Sequence, residues 1–313
     1  VLVLDAGNAL FKSRDSAQAP DARARAELVL SQMDAQGTAA MAVGARDLGF
    51  GVGFLKKQTR QAKLKLLSAN LADAQGKLLF PASLVTTVGG VKVGVVGVSP
   101  AMAKPIPVGL AVPGQAQEQV QGLSAQPAVA AEAKRLREKS KVDLVVVLAA
   151  VPHAEALQLA DQVEGVDFVV QSHEGRGQGI AQRQALATVI PSGARGRELA
   201  KLVLQLEEGT GRFADASLQE RTRQQLRLLE GNLTRAKARL AGTQDPAEKQ
   251  PLEATIARLE ASRAAYQKEL AGGATDAGRT HLLSYIQLGS DVPADPVVQK
   301  WVERVEPPGS AAH

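Results

Sequence analysis

Four stretches of this chain carry side chains with chemistry to offer, and each closes an apolar run. Asp5-Ala6-Gly7-Asn8 follows residues 1–4, Ala45-Arg46-Asp47 follows 39–43, Ala149-Ala150 with His153 follows 144–148, and Gln171-Ser172-His173 ends the run at 168–170. Amides, carboxylates and imidazoles that converge at strand ends are the raw material of a metal site. Hydrolysis by two dications about 3.5–4 Å apart needs several such ligands, at least one of them bridging. Arg46 sets a fixed positive charge at one of these strand ends. With Arg195, and with Arg176 and Arg183 near in sequence, Arg46 offers an anion pocket instead.

Each of these residues also has a plainer reading. His173 reads as a hydrogen-bonded structural imidazole, and His153 as the solvent-facing first residue of a helix. Asp47 and Arg46 read as a local ion pair, worth about 0–1 kcal/mol if exposed, and the scattered arginines as a solvated face. Residues 49–53, GFGVG, lack the Lys-Ser/Thr ending and the strand–Gly–helix context of a phosphate loop.

The elements that must position these groups are legible as apolar periodicity. Residues 142–175 give a buried strand, a loop at 149–153, an amphipathic helix and a second strand, and the chain is organised around them. In an open α/β sheet, ligands sit beyond the carboxyl ends of such strands, so 149–150 and 172–173 should face one crevice. Upstream, the pattern predicts a strand at 1–4, a helix at 20–33, a strand at 39–43, a glycine-broken loop at 44–53, a helix at 58–65 and a strand at 66–71. Residues 80–98 predict a hairpin turning at Gly89-Gly90, a pair that accepts positive φ. Residues 101–126, rich in Pro, Gly and Gln, predict a surface excursion, and 127–141 a helix. Downstream come a glycine-rich loop at 175–179 and strands at 185–191 and 197–207.

With 313 residues and 45% apolar content the chain buries a large core. Aromatics are only 3%, which argues against base-stacking platforms, and the net charge of +5 is spread among acids, so no nucleic-acid partner is expected. The absence of cysteine excludes disulfides, thiolate metal sites, Cys nucleophiles and thioether-attached haem. No apolar run approaches the roughly 20 residues that span a bilayer. The chain opens on Val1 inside a strand, without an initiator Met, and reads as a processed or truncated piece. A membrane link is expected only through a possible upstream anchor.

Near residue 215 the character changes. Leu226, Leu229, Leu233, Ala236 and Leu240 recur at spacings of three and four, the seam of a coiled coil. Leu252, Ile256, Leu259, Tyr266 and Leu270 continue it if the stem of Arg263 fills one seam position. Gly242 predicts a C-terminal stop, Asp245 an N-cap before Pro246, and Asp245 with Glu248 a capping box. So short a link makes the helices antiparallel, a hairpin roughly 40 Å long at about 1.5 Å per residue. A buried leucine is worth roughly 1.5–3 kcal/mol, so the seam holds without help. Residues 272–278 read as a linker and 282–288 as a strand. Asp295 caps a short helix through Val305 that carries Trp301, and 307–313 read as disordered.

The succession DAGN, VGARDLGFG, LLSANLADAQGKLLFPASLVTTVGGVKVGVVGVSP, VDLVVVLAAVPH, VDFVVQSHEG and VIPSGARGRELAKLVLQL, over residues 1 to about 206, resembles the metallophosphoesterase domain of the bacterial 5′-nucleotidase family. The resemblance implies a four-layer αββα metallophosphoesterase-like sandwich, here with an inserted antiparallel helical hairpin, and a two-metal phosphate-ester hydrolase site at the strand ends. It also implies a periplasmic or cell-surface location. Matched residue by residue, the family's bridging Asp falls on Asn8, an Asn ligand on Ala45 and the catalytic His on Arg46, while the following acid is kept as Asp47. A His ligand falls on Ala150. The first His of the family's GHxH is kept as His173 and the second falls on Gly175, so the resemblance leaves Asn8 and His173 as candidate ligands, and two neutral ligands do not hold two dications. An earlier Asp-x-His would precede Val1. The family's second, nucleotide-binding domain has no counterpart, and the tail faintly resembles a junction to multihaem cytochromes.

The expectation is therefore a domain at 1–214, the hairpin at 215–271, and a linker with tail at 272–313. The vestigial pocket comprises Asp5, Asn8, Arg46, Asp47, Ala150 and His173, with no catalytic residue and no cofactor expected. The chain reads as an inactive structural or partner-binding module of the envelope, with residues 216–270 gripping a protein partner or a second copy. Two alternatives stay open. One is a hydrolase with an altered Mn or Zn site around Asn8, His153 and His173. The other is an anion or nucleotide sensor using Arg46 and Arg195.

Overall fold

The computed structural model describes residues 1–13, 15–111, 113–114, 116–172, 179–193, 196–206, 211–272 and 278–306. Two compact units divide the chain, Val1–Lys201 with Tyr285–His313, and Leu202–Ser284. The elements run β1 (Val3–Asp5), α1 (Ala22–Ala35), β2 (Thr38–Ala42), α2 (Gly51–Gln58), β3 (Lys65–Leu67), β4 (Leu71–Ala72), β5 (Ser83–Val88), β6 (Val91–Val98), β7 (Ile106–Val108), β8 (Glu118–Gly122), α3 (Ala125–Glu138), β9 (Leu144–Ala149), α4 (His153–Gln162), β10 (Phe168–Gln171), β11 (Gln182–Arg183) and β12 (Thr188–Pro191). After them come β13 (Glu198–Leu206), β14 (Ala214–Asp215), α5 (Leu218–Gly242), α6 (Pro246–Gly272), β15 (Arg279–Gln287) and α7 (Pro296–Val305).

The first unit is an αββα sandwich. One sheet is β1-β2-β3, all parallel. The other is ordered β11-β12-β10-β9-β6-β5, parallel through its centre with antiparallel edges. Alternation along the strands explains the layering. On β2, Met41 turns outward into the core under α1 and α2, while Ala40 and Ala42 belong to the opposite face, toward β6 of the second sheet. On β6, Val96 and Val98 enter the core under α3 and α4, and a Cβ on Gly94 would lie 2.9 Å from Leu136 of α3. The other face of β6 carries Gly97, where a Cβ would lie 2.3 Å from the Leu67 carbonyl, so the sheets approach closely through small residues. The β5–β6 hairpin turns at Gly89 (φ 58°) and Gly90 (φ 83°), as the pair predicts.

Three local expectations are corrected. Residues 44–53 are not an open loop: a 3-10 turn at Ala45–Phe50 leads into α2, which buries Val52, Phe54 and Leu55. The helix expected at 58–65 instead ends at Gln58, because the apolar stripe lies at 52–55 and Lys65 already pairs with Ala40 as strand. The excursion at 101–126 contains the antiparallel pair β7–β8, whose Val108 and Val120 join the core below α1.

The second unit contains α5 and α6 packed side by side, with the seam expected from their spacing. Leu233 and Ile256 are its most buried apolar residues, and Lys237–Glu260 (2.6 Å) and Arg239–Glu248 (3.6 Å) tie the two helices at the rim. Asp245 caps α6 by accepting from the Ala247 N–H at 2.8 Å. Glu248 reaches Arg239 rather than closing a capping box, and Gly242 is the last helical residue rather than a left-handed stop. Strands β13, β15 and β14 form a small sheet in that order. Within the first unit, Asp295 caps α7 through the Val297 (2.8 Å) and Val298 (3.1 Å) N–H groups, and Glu306 pairs with Arg25 of α1 at 2.8 Å. The loop residues 175–178, the linker residues 273–277 and the tail 307–313 lie outside the described residues. Among the described residues no helix is long and apolar enough to cross a membrane.

Candidate functional site

Because β1 and β2, and β6, β9 and β10, run parallel within their sheets, each sheet gathers its carboxyl ends at one edge. After β1 the chain turns sharply through Gly7 (φ 92°) and Asn8 (φ 62°). A side chain at Gly7 would meet the Ala42 carbonyl at 2.5 Å and the Ala150 Cβ at 3.1 Å, and asparagine is among the few other residues that tolerate a left-handed conformation. This turn buries Asn8. Its Oδ1 accepts from the Arg46 backbone N–H at 3.1 Å, and its Nδ2 donates to Ser172 Oγ at 3.2 Å. A Cβ on Gly44 would stand 2.1 Å from Asn8 Oδ1, so the amide occupies the space that only a glycine leaves open.

Asp47 is not an exposed ion-pair partner. It is fully buried, and its carboxylate accepts from the N–H groups of Gly44 (2.8 Å), Asn8 (2.8 Å) and Leu10 (3.1 Å). Burial pushes its pKa up to about 7 against the pull of those three donors, and the charge of Asp5 adds to the rise. Asp5 is also raised, by burial acting against the hydrogen bond from the Gly7 N–H.

Ala150 is fully buried and offers no donor atom. His153 opens α4 half-buried, with Nδ1 at 2.7 Å from Gln171 Oε1, and is not simply solvent-facing. A buried polar set lies behind these strand ends. Ser99 Oγ donates to the Val43 carbonyl (2.6 Å) and lies 2.7 Å from Ser68 Oγ, while Asn70 bonds both the N–H and the carbonyl of Ser99. The single proton of Ser99 is directed at Val43, which leaves the Ser68 hydroxyl facing two acceptors, Ser99 Oγ and Asn70 Oδ1 at 3.3 Å.

The structure thus brings Asp5, Asn8, Arg46 and Asp47 to one turn, with Ala150 against Gly7. His173, Arg195 and Arg176 lie outside the described residues, and Arg183 sits exposed on β11. Ser172 and Gln171 take part as well: sequence reading placed both at the end of this strand, β10, and Ser172 in the crevice, but passed over the hydrogen bonds they make. Glu118 was passed over too. Its carboxylate receives the Val52 N–H at 2.6 Å and the Gly53 N–H at 3.2 Å, satisfying the first turn of α2 from β8. Among the described residues no group of three or more His, Asp or Glu side chains is placed to hold a metal ion.

No protein-family model and no curated protein matches the sequence. Solved structures do. The sulfate thiohydrolase SoxB of Thermus thermophilus, in complex with glycerol, is 22% identical with a TM-score of 0.52, over 66% of this chain and 36% of that one. A 5′-nucleotidase precursor from Thermus thermophilus gives 22% and 0.48 over 66% and 42%, and the calcineurin-like phosphoesterase YfkN of Bacillus subtilis gives 17% and 0.49 over 67% and 73%. This chain therefore spans about two fifths or less of the length of the first two. At such identity the likeness concerns the architecture alone, and that of the thiohydrolase agrees with the layers described above. The first unit has the fold of the metallophosphoesterase domain of the 5′-nucleotidase family.

Proposed function

We propose that this chain is a non-catalytic, metallophosphoesterase-like module of the bacterial cell envelope, periplasmic or cell-surface, whose α5–α6 hairpin binds a protein partner or a second copy of the chain. One observation carries the loss of catalysis. At the position that the family resemblance gives to the bridging carboxylate, Asn8 offers a single neutral oxygen, which already accepts from the Arg46 N–H. Ala45, Arg46 and Ala150 supply no replacement at the neighbouring positions. The envelope location rests on the resemblance alone.

The hairpin supports the module reading by its construction. Its seam is satisfied internally, and its outer faces form a long mixed-charge surface. Such helical pairs serve recognition.

Phosphate-ester hydrolysis assayed with added Mn²⁺, Zn²⁺ or Co²⁺ tests the first half. The expected result is no turnover above the metal-only blank, and turnover abolished by His173→Ala would sink the proposal. Deleting residues 216–270 tests the second half: the oligomer or captured partner is lost while the first unit stays folded. Retention of the partner after deletion makes the hairpin irrelevant to binding.

A further inference from the structure

The two-dication group that this fold implies does not fit the described residues at the strand ends, and the misfit is specific. An amide is a donor on one side and an acceptor on the other, and the Arg46 backbone N–H can only donate. The Asn8 oxygen must therefore face Arg46, which turns the Asn8 NH₂ toward Ser172 Oγ. A dication at this point would meet an N–H donor where it requires a lone pair. Asp47, whose carboxylate reaches the Asn8 N–H, already has both oxygens engaged by three backbone N–H groups. Ala150, fully buried against the Gly7 turn, has nothing to coordinate with.

We infer that the Asn8 side chain is a metal-free cross-link that joins the strand ends where a bridging dication would otherwise do so. Its two hydrogen bonds span sequence separations of 38 and 164 residues, tying the β1 turn to the turn after β2 and to the end of β10. The supporting features are fitted to it. Gly44 leaves the amide its room, and the left-handed backbone at Asn8 aims it inward. Asp47, reaching the Asn8 N–H, holds the main chain of the same turn. The domain accordingly keeps its shape without divalent metal. This inference stands apart from the proposed partner-binding role: a hairpin without a partner would leave it intact.

The test is thermal unfolding of the full chain, paired with elemental analysis, for the wild type, Asn8→Ala and Ser172→Ala, each in EDTA and in Mn²⁺. For the wild type, EDTA and Mn²⁺ should each move Tm by less than about 1 °C, since a ligand bound to the native state alone would raise it. Asn8→Ala should lower Tm by roughly 3–8 °C, and Ser172→Ala, which removes only one of the two bonds, by less. If Asn8→Ala fails to fold, Ser172→Ala decides alone. The inference is overturned if wild-type Tm falls in EDTA and recovers with Mn²⁺, or if Ser172→Ala and Asn8→Ala both melt like the wild type.

Discussion

A carboxylate with three backbone N–H donors and no access to water is pulled both ways. In Asp47 burial prevails, and the group titrates at about 7 in the folded chain, well above its ordinary value of 3.8. A raised folded pKa means that the native state holds the proton more tightly than the unfolded one. The contribution is therefore full below the unfolded value and is lost as pH rises through about 7. Urea midpoints measured from about pH 4 to 8 should show that loss in the wild type and not in Asp47→Asn. The same variant should be less stable near pH 4 by about 1–3 kcal/mol, because an amide NH₂ then faces donors, and the gap should close as the wild type loses stability toward pH 8. Gly44→Ala should also destabilise by about 1 kcal/mol or more, of the order expected of overpacking, whereas Gly231→Ala, with nothing within 4 Å on the face of α5, should stabilise by about 0.5–1 kcal/mol. Chemical denaturation of the pair separates a steric requirement from helix propensity. These residue-scale facts are only half legible in the sequence. The motif GARD announces an acid in a fixed place, but no local pattern says which amides from residues 8 and 10 will converge on it.

At the scale of elements, periodicity is a sound guide wherever one face is buried against a single neighbour. It locates the strands of the double sheet, the Gly89-Gly90 turn and the helical seam. It fails at α2, since Gly49, Gly51 and Gly53 weaken helix propensity and the compensating cap, Glu118, lies 66 residues away from Val52. Glu118→Ala should thus cost about 0.5–2 kcal/mol, read by equilibrium denaturation, although the side chain is largely exposed. The start of α5 makes the opposite pH statement to Asp47. Burial raises Asp215, but the hydrogen bonds from Ser217 and Arg221 and the charge of Arg221 outweigh it and leave the group lowered. Its contribution is present above the unfolded carboxylate range and fades as pH falls through the lower folded value. Circular dichroism across roughly pH 2–5 should show that acid-side loss flattened in Asp215→Asn.

Over the whole molecule, two sources of stability belong to two separate stretches of chain. The first unit has a core on the outer side of each sheet, one under α1 and α2 and one under α3 and α4, and the two sheets meet closely between them at Gly97 and Leu67. The hairpin has only its seam and rim ion pairs, and rim pairs contribute little. A chain built in this way need not unfold in one step. Calorimetry should resolve two transitions, the larger enthalpy belonging to the longer first unit because unfolding enthalpy scales with residues. Leu233→Glu, placing a charge at the most buried apolar position of the seam, should lower only the hairpin transition and remove helical signal with it. Leu228→Glu, on an exposed position of the same helix, should leave both transitions within about 0.5 kcal/mol of the wild type. Asn8→Ala should lower only the other transition. If Leu233→Glu and Asn8→Ala instead shift a single common transition, the units fold as one, and the hairpin belongs to the stability of the sandwich.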